Sequence, residues 1–201
     1  ALIMIDISEI NLYRLEQEIK NNMPENNNLK MKFLLGDIKN FKFLNNIFRE
    51  NNIDVVFYAA AYKHVPLIEA NPIEGIENNV FSTYTLCKAS LSSSVKKVTL
   101  ISTDKAVRPS NVMGASKRLA ELIFQAYAEK SSSKSYKTDN TKFSIVRFGN
   151  VLNSSGSVVP LFKKQIANGG PVTVTHKDVF RYFMTLPEAA QLVIQATTLS
   201  L

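Results

Sequence analysis

The sequence predicts an α/β fold in which parallel strands alternate with helices around a doubly wound sheet. Short apolar runs rich in β-branched and aromatic residues recur through the first 150 residues, and segments with helical spacing of apolar residues separate them. Regular alternation of this kind is typical of a parallel sheet covered by helices on both faces. The predicted strands are 1–5, 31–35, 53–58, 98–101 and 143–148.

Helix signals occupy the segments between these strands. Ser8 is a good N-cap for the first helix, and Pro72 stands at a favoured first helical position. The predicted helices are 8–22, 40–50, one that begins at 71–72, one from about 112, then 158–167 and 187–199. A Ser- and Lys-rich surface loop is predicted over 130–141, and a short strand over 172–175.

Composition excludes several classes of protein. The chain has 201 residues, 45% hydrophobic and 20% charged, which predicts a folded domain with a real core. No apolar run approaches the roughly 18 residues of a spanning helix. Cys87 is the only cysteine, so no disulfide forms within the chain, and the two histidines, His64 and His176, are too far apart to suggest a metal site.

The charge is basic without a basic tract. Lys and Arg number 24 against 17 Asp and Glu, a formal net charge of +7, and the basic residues are scattered. This pattern is typical of a solvated surface. It lacks the basic stripe and aromatic platform of a nucleic-acid-binding domain, so no nucleic-acid partner is predicted.

The most informative stretch is STDKAVRPSNVMGASK at 102–117. It begins where a buried strand ends, and ligands of open α/β sheets bind at the carboxyl ends of the strands. Thr103, Asp104 and Lys105 therefore present a hydroxyl, a carboxyl and an amine where proton transfer can occur. Met113 and Lys117 are four residues apart, which puts them on one face of the next helix.

These residues resemble the extended short-chain dehydrogenase/reductases. Those enzymes carry Ser or Thr after this strand and Tyr-x-x-x-Lys on the next helix, whereas here Met113 replaces the Tyr and Lys117 remains. The combination is similar to the CapD-like UDP-N-acetylglucosamine 4,6-dehydratases of polysaccharide biosynthesis. Further matching blocks are AAAYKHVP at 59–66, NP at 71–72, NNV at 78–80, RFGNV at 147–151, SGSVVP at 155–160, GGPVTVTH at 169–176 and RYFMT at 181–185.

The resemblance implies a Rossmann-like fold that is incomplete within these residues. No Gly-rich phosphate loop is present, and residues 1–5 match the second strand of such a fold. We therefore expect a piece of a longer protein with a gap in its sheet and weak affinity for NAD on its own. Residues 1–150 would form the partial NAD-binding domain and 151–201 part of a small C-terminal substrate lobe.

The cofactor implied is NAD rather than NADP, because Asp6 after the first strand would accept ribose hydroxyls and repel a 2′-phosphate. The alternative role for Asp6 is helix capping, and for Asp37 with Ile38 it is a turn. By resemblance, Asp37 and Ile38 hold the adenine. The remaining predicted cofactor residues are three small side chains after the third strand and the lysine of the helix: Ala59, Ala60, Ala61 and Lys117. The alternative interpretation of the three alanines is tight packing alone.

The resemblance also implies a substrate side. Its expected UDP-sugar contacts are Lys63, His64, Asn150, Ser157, Val159 and Arg181. Arg181 would bind the diphosphate, for which a planar guanidinium is suited, and its alternative role is an ordinary surface arginine. His64 taken alone would be a structural histidine. Asn79, in mid-helix, is expected to steady the backbone of the site.

The implied reaction is transient oxidation at sugar C4, loss of water across C5 and C6, and return of hydride to C6. Thr103 would bind the C4 oxygen, Asp104 would protonate the leaving hydroxyl and Lys105 would remove the C5 proton, while Lys117 would bind the nicotinamide ribose. Met113 has no proton to exchange, so it favours a dehydratase over a simple dehydrogenase.

Three rivals stay open at this stage: a nucleotide-sugar 4-epimerase, a non-catalytic nucleotide-sugar sensor in which Met113 marks lost activity, and a basic nucleic-acid-binding domain. We further expect a homo-oligomer on the cytoplasmic side of the membrane. Any membrane anchor would be carried by segments outside residues 1–201.

Overall fold

A computed structural model of the chain describes residues 1–24, 28–133, 141–152, 154, 158–174, 176–178 and 180–199. Its strands are β1 Leu2–Asp6, β2 Met31–Leu35, β3 Val55–Tyr58, β4 Lys97–Thr103, β5 Lys142–Phe148, β6 Asn150–Val151 and β7 Phe183–Met184. Its α-helices are α1 Glu9–Asn22, α2 Phe41–Glu50, α3 Val65–Ala70, α4 Pro72–Ile76, α5 Ser82–Ser92, α6 Val112–Ser132, α7 Val158–Ala167 and α8 Leu186–Leu199.

All the strand pairs of the described residues are parallel, which confirms the predicted α/β class. β3, β4 and β5 form one ladder, in which Ser102 of β4 lies opposite Arg147 of β5. β1 and β2 form a second ladder that shares no strand with the first. The sheet is thus interrupted, as predicted. β3, at the edge of its ladder, leaves the side chains of Val55 and Phe57 exposed.

The main core lies where α2, α5 and α6 pack around the strands. Phe124 of α6 is fully buried and meets Phe143 of β5 edge to face, with ring centroids 5.5 Å apart. Leu44 of α2 and Leu100 of β4 belong to the same cluster. α8 is tied to β4 by the buried hydroxyl pair of Thr99 and Thr197, 2.6 Å apart. This packing fixes the carboxyl ends of β3, β4 and β5 relative to α6.

Caps place the first helices as predicted, whereas later segments differ. Ser8 accepts a hydrogen bond from Asn11 N and begins α1. The helix expected from Pro72 is interrupted by a π-helical turn, Glu77–Phe81, before α5. The strand predicted over 172–175 is wrong for residues 172–174, where the Gln165 side chain, rather than a neighbouring strand, binds Thr173. α6 continues to Ser132, into the predicted loop, whose residues 134–140 lie outside the described residues.

Candidate active site

A cavity of about 580 Å³ lies at the carboxyl ends of β3, β4 and β5. Most of the predicted site residues line it, although they come from segments far apart in the sequence. Those residues are Ala59, Ala61, Lys63, His64, Thr103, Lys105, Met113, Lys117, Asn150 and Arg181. The cavity therefore gathers in one place residues from both of the domains predicted from the sequence.

Other predicted residues lie elsewhere. Ala60, Asp104 and Val159 are not among the residues lining the cavity, although each stands beside one that is. Asp6 and Asp37 follow β1 and β2, outside this wall. Ser157 lies outside the described residues, so its predicted substrate contact stays a prediction.

The end of β4 carries the three polar groups singled out from the sequence. Thr103 accepts a hydrogen bond from Lys105 N at 3.4 Å and begins a single 3₁₀ turn, Asp104–Ala106. Its hydroxyl donates to Asp104 Oδ1 at 3.0 Å, and the Lys105 ammonium donates to the same oxygen at 3.0 Å. The turn therefore presents hydroxyl, carboxylate and ammonium as one hydrogen-bonded group.

The Asp104–Lys105 pair is accessible as well as connected. The two side chains are 41% and 32% exposed, and Lys105 lines the cavity. Partial burial raises the pKa of Asp104, but hydrogen bonds from Lys105 and Thr103 outweigh it and hold that pKa below its usual value. Asp104 is therefore a carboxylate at neutral pH.

Met113 and Lys117 share the cavity-facing side of α6. Met113 is 3% exposed and forms part of the apolar wall. Lys117 is 7% exposed, and its ammonium donates to the carbonyl of Ile101 in β4 at 2.8 Å. Burial lowers the pKa of Lys117 to about 8, although the charge of Glu121 opposes that shift. A cation held this close to losing its proton is sensitive to every charge around it.

Asn79 holds the loop after β3, which lines the cavity with Tyr62, Lys63 and His64. Its side chain is buried within the π-helical turn, a distortion that is frequent at functional sites. Asn79 Oδ1 accepts from Tyr62 N at 2.7 Å, while Nδ2 donates to Tyr62 O at 3.0 Å and to Ser116 Oγ at 2.9 Å. These bonds join the segment before Lys63 and His64 to α6. The supporting role of Asn79 stays a prediction, and these are the contacts through which it would act.

The short ladder of β6 and β7 brings the C-terminal residues to the cavity. Asn150 N donates to Tyr182 O at 2.9 Å. This bond holds the chain next to Arg181 close to Asn150, and Arg181 lines the cavity. Asn150 Oδ1 also accepts a long hydrogen bond, 3.4 Å, from Lys105 Nζ. A Cβ on Gly149 would lie 2.6 Å from Tyr182 O, so only glycine permits this close approach.

The predicted cofactor residues follow successive strands. Gly36 N donates to Asp6 O at 3.0 Å, which brings the ends of β1 and β2 together. Asp6 Oδ1 accepts from Ser8 N and Asp37 Oδ1 from Lys39 N, at 2.7 and 2.8 Å. Asp37 therefore makes the local turn foreseen as its alternative role, whereas the helix-capping alternative for Asp6 falls to Ser8, which caps α1. Together with the small side chains after β3, the two carboxylates remain compatible with a dinucleotide at this edge of the sheet.

Sequence reasoning missed the charged cluster behind the site. Glu121 of α6 is fully buried and accepts hydrogen bonds from Ser102, Arg118 and Arg147. Burial raises its pKa, but the hydrogen bonds from Arg147, Ser102 and Arg118 outweigh burial and bring the pKa to about 2. The available signal was its position four residues after Lys117, on the same helix face.

Gly114 should be essential to the geometry of the 3₁₀ turn Asp104–Ala106. A Cβ at this position would lie 2.5 Å from the carbonyl oxygen of Lys105, so Gly114→Ala must push α6 and the turn apart. We expect turnover of the substrate to fall by about 10- to 100-fold, the effect of misplacing reacting groups by about 1 Å. Steady-state kinetics on the full-length protein would measure this fall.

The matched control for Gly114→Ala is Ala126→Val, which adds carbon at an exposed position of the same helix. Its turnover should equal that of the wild type. If Gly114→Ala were also as active as the wild type, the close approach of α6 to Lys105 would have no role in the reaction.

The parallel sheet, the polar groups at the end of β4 and Lys117 on the following helix define a Rossmann-type protein of the short-chain dehydrogenase/reductase class. The chain belongs to the polysaccharide biosynthesis protein family, whose sequence profile matches residues 1–200. The similarity to CapD-like proteins expected from the motifs is therefore confirmed.

Two curated relatives illustrate this similarity. The chain is 45% identical to the capsular polysaccharide biosynthesis protein CapD of Staphylococcus aureus, over 99% of this chain and 32% of that protein. It is 38% identical to a UDP-glucose 4-epimerase of Rickettsia rickettsii, over 96% of this chain and 55% of that protein. The chain thus spans about a third to just over half of the length of these relatives.

Solved structures confirm the fold. Pen from Bacillus thuringiensis superposes with a TM-score of 0.86 and 36% identity, over 98% of this chain and 57% of that one. A dTDP-glucose 4,6-dehydratase from Streptomyces venezuelae, determined with NAD, superposes with a TM-score of 0.74 over 94% of this chain and 73% of that one. At 19% identity, the second likeness concerns the fold alone.

Two features are absent from the described residues. Within the described part of the chain, no group of three or more His, Cys, Asp or Glu side chains is placed to hold a metal ion. Nor does that part contain a helix both long and apolar enough to cross a membrane.

Proposed function

We propose that the protein is an NAD-dependent 4,6-dehydratase that removes water from UDP-N-acetylglucosamine for polysaccharide biosynthesis. The observation that carries the proposal is the group formed by Thr103, Asp104 and Lys105 at the end of β4, beside Lys117. An epimerase needs only oxidation and reduction at C4, whereas elimination also requires an acid and a base at neighbouring carbons. The Asp104–Lys105 pair supplies both.

The proposed cofactor site uses the strand ends described above. Asp6 would receive ribose hydroxyls, Asp37 and Ile38 the adenine, and the alanines after β3 would let the cofactor approach the backbone. NAD, when bound, supplies the hydride acceptor for C4 and the hydride that returns to C6. The carboxylate of Asp6 favours NAD over NADP, since a 2′-phosphate would be repelled.

Protons are handled by the chain's own residues in this proposal. The Thr103 hydroxyl binds the C4 oxygen, and the C4 hydroxyl proton is released to water as hydride leaves C4. Once C4 is a ketone, the C5 proton becomes acidic, and Lys105 removes it while Asp104 protonates the departing C6 hydroxyl. Lys105 then returns a proton to C5 as hydride is delivered to C6. Lys117 adds positive charge that stabilises the C4 oxygen as its proton leaves, which favours oxidation at C4.

The working protonation state differs from the ion pair of the structure by the transfer of one proton from Lys105 to Asp104. In the ion pair, the Asp104 carboxylate accepts a hydrogen bond from the Lys105 ammonium. The neutral pair, Asp104 protonated and Lys105 free, has the same net charge. A bound sugar that covers this half-exposed pair removes water and disfavours the two separated charges, so it favours the neutral pair. Substrate binding would thus prepare both groups for elimination.

The substrate contacts of the proposal come from opposite walls of the cavity. Arg181 would bind the diphosphate, and Lys63 and His64 would contact the sugar from the loop that Asn79 fastens. Asn150, within hydrogen-bonding reach of Lys105, would orient both the lysine and the sugar. Ser157 and Val159 complete the proposed set.

The full-length protein, incubated with UDP-N-acetylglucosamine and NAD in deuterated water, tests the proposal. We expect a product that has lost one water and gained one deuterium on carbon, because the C5 proton is replaced from solvent. The same reaction in ordinary water provides the control, with water lost and no deuterium gained. A substrate recovered with unchanged mass would contradict the dehydratase.

The second candidate function is a nucleotide-sugar 4-epimerase, which the identity of 38% to the Rickettsia epimerase favours. Its product has the mass of its substrate and takes no deuterium from solvent onto C5. Chromatographic separation of the C4 epimers from the same incubation therefore distinguishes the two enzymes. If neither the dehydrated product nor the C4 epimer forms, the non-catalytic sensor is the remaining interpretation.

A further inference from the structure

Glu121 of α6 connects its own helix to β4 and β5 through hydrogen bonds. Its carboxylate is fully buried and accepts a hydrogen bond from Ser102 Oγ of β4 at 2.7 Å. It also accepts from Arg147 Nε of β5 at 2.7 Å and from Arg118 Nη1 of α6 at 2.9 Å. A buried carboxylate with this many donors is strongly held in one position.

The cluster is directly connected to the groups that line the cavity. Ser102 precedes Thr103 and lies opposite Arg147 in the ladder of β4 and β5. Glu121 therefore contacts both members of one residue pair near the carboxyl ends of these strands. One helical turn earlier, Lys117 donates to the carbonyl of Ile101. Two consecutive residues at the end of β4 are therefore tied to two α6 residues one turn apart.

We propose that Glu121 is a positioning residue that holds the end of β4 and Lys117 in their working arrangement and keeps Lys117 charged. The claim that this arrangement serves catalysis rests on the proposed function. The claim that Glu121 sets the charge of Lys117 does not, because it concerns only groups of this chain.

The charges around Lys117 determine the direction of the effect. Glu121 on the same helix opposes the loss of the proton that burial favours. Arg118 and Arg147 contact Glu121, while Asp104 and Lys105 lie at the end of β4, and Lys63, His64 and Arg181 line the same cavity. Without the Glu121 charge, cations dominate these surroundings, so Lys117 should release its proton at lower pH.

Glu121→Gln in the full-length protein tests the inference, because the amide keeps the size and one acceptor while the charge is lost. We expect the pKa of Lys117, followed by NMR of 13Cε-labelled lysine, to fall below the wild-type value of about 8. The turnover number should fall by about 10- to 100-fold with little change in KM, and the loss of activity at alkaline pH should move to lower pH.

Glu129→Gln, on an exposed part of the same helix, is the matched control and should leave the Lys117 titration and turnover unchanged. An unchanged Lys117 titration in Glu121→Gln would overturn the inference. If Glu121→Gln does not fold, Ser102→Ala tests the positioning, since it removes one donor and keeps the charge. Its turnover number should fall several-fold, and wild-type turnover would overturn the inference.

The NMR titration requires no substrate, which separates this inference from the proposed function. A wild-type protein that leaves UDP-N-acetylglucosamine unchanged would refute the dehydratase. The dependence of Lys117 on Glu121 would still be measured in the same sample.

Discussion

Asp104→Asn in the full-length protein should slow the loss of water from UDP-N-acetylglucosamine by about 10²- to 10⁴-fold, the range for removal of a general acid. The asparagine has nearly the same shape and still accepts hydrogen bonds from Thr103 and Lys105, which now bind Asp104 Oδ1 at 3.0 Å. It has no proton to give to the departing C6 hydroxyl. The rate of formation of the dehydrated product, followed by mass spectrometry, measures the effect.

Asp54→Asn is the matched control for Asp104→Asn. Asp54 is also a carboxylate paired with a lysine, Lys96, at 2.6 Å, but it is exposed and precedes β3, away from the cavity. Its loss should leave the rate unchanged. A dehydration rate of Asp104→Asn within about threefold of the wild-type rate would be a change far smaller than the effect of losing a general acid. Asp104 would then not be the acid, and Lys105 would be the candidate for both proton transfers.

Glu121→Ala should have the largest effect on stability, lowering the free energy of unfolding at neutral pH by about 3 kcal/mol. The reason is the depressed pKa of Glu121, about 2 in the folded protein against 4.5 for an ordinary glutamate. Each unit of that difference corresponds to about 1.4 kcal/mol in favour of the folded state when the group is ionised. Urea unfolding of wild type and variant measures the difference.

The pH dependence of that difference has a definite sign. Because the folded-state pKa lies below the unfolded one, the contribution of Glu121 is fully present above pH 4.5 and is lost as the pH falls towards 2. Wild type and Glu121→Ala should therefore converge in stability over this range, while Glu129→Gln should follow the wild type throughout. A constant gap between wild type and Glu121→Ala at all pH values would contradict the ion cluster as its source.

The sequence determined the local structure because local patterns encode it. Apolar runs marked the strands, Ser8 capped α1 as expected, and the spacing of Met113 and Lys117 put both on the cavity side of α6. The family motifs were also continuous stretches. Residues 172–174 show the limit: their alternating pattern lacks a neighbouring strand, so the Gln165 side chain binds Thr173 instead.

Only the tertiary structure decided which distant groups meet. Lys105 reaches Asn150 across 45 residues of sequence, and Asn79 holds Tyr62 across 17. Glu121 meets Arg147 because strand register and helix packing bring them together, 26 residues apart. No local pattern specifies such contacts, because they depend on the relative placement of whole elements that the core of α2, α5 and α6 fixes. The ionised form of a buried carboxylate is stable at neutral pH only where the packing places hydrogen-bond donors next to it.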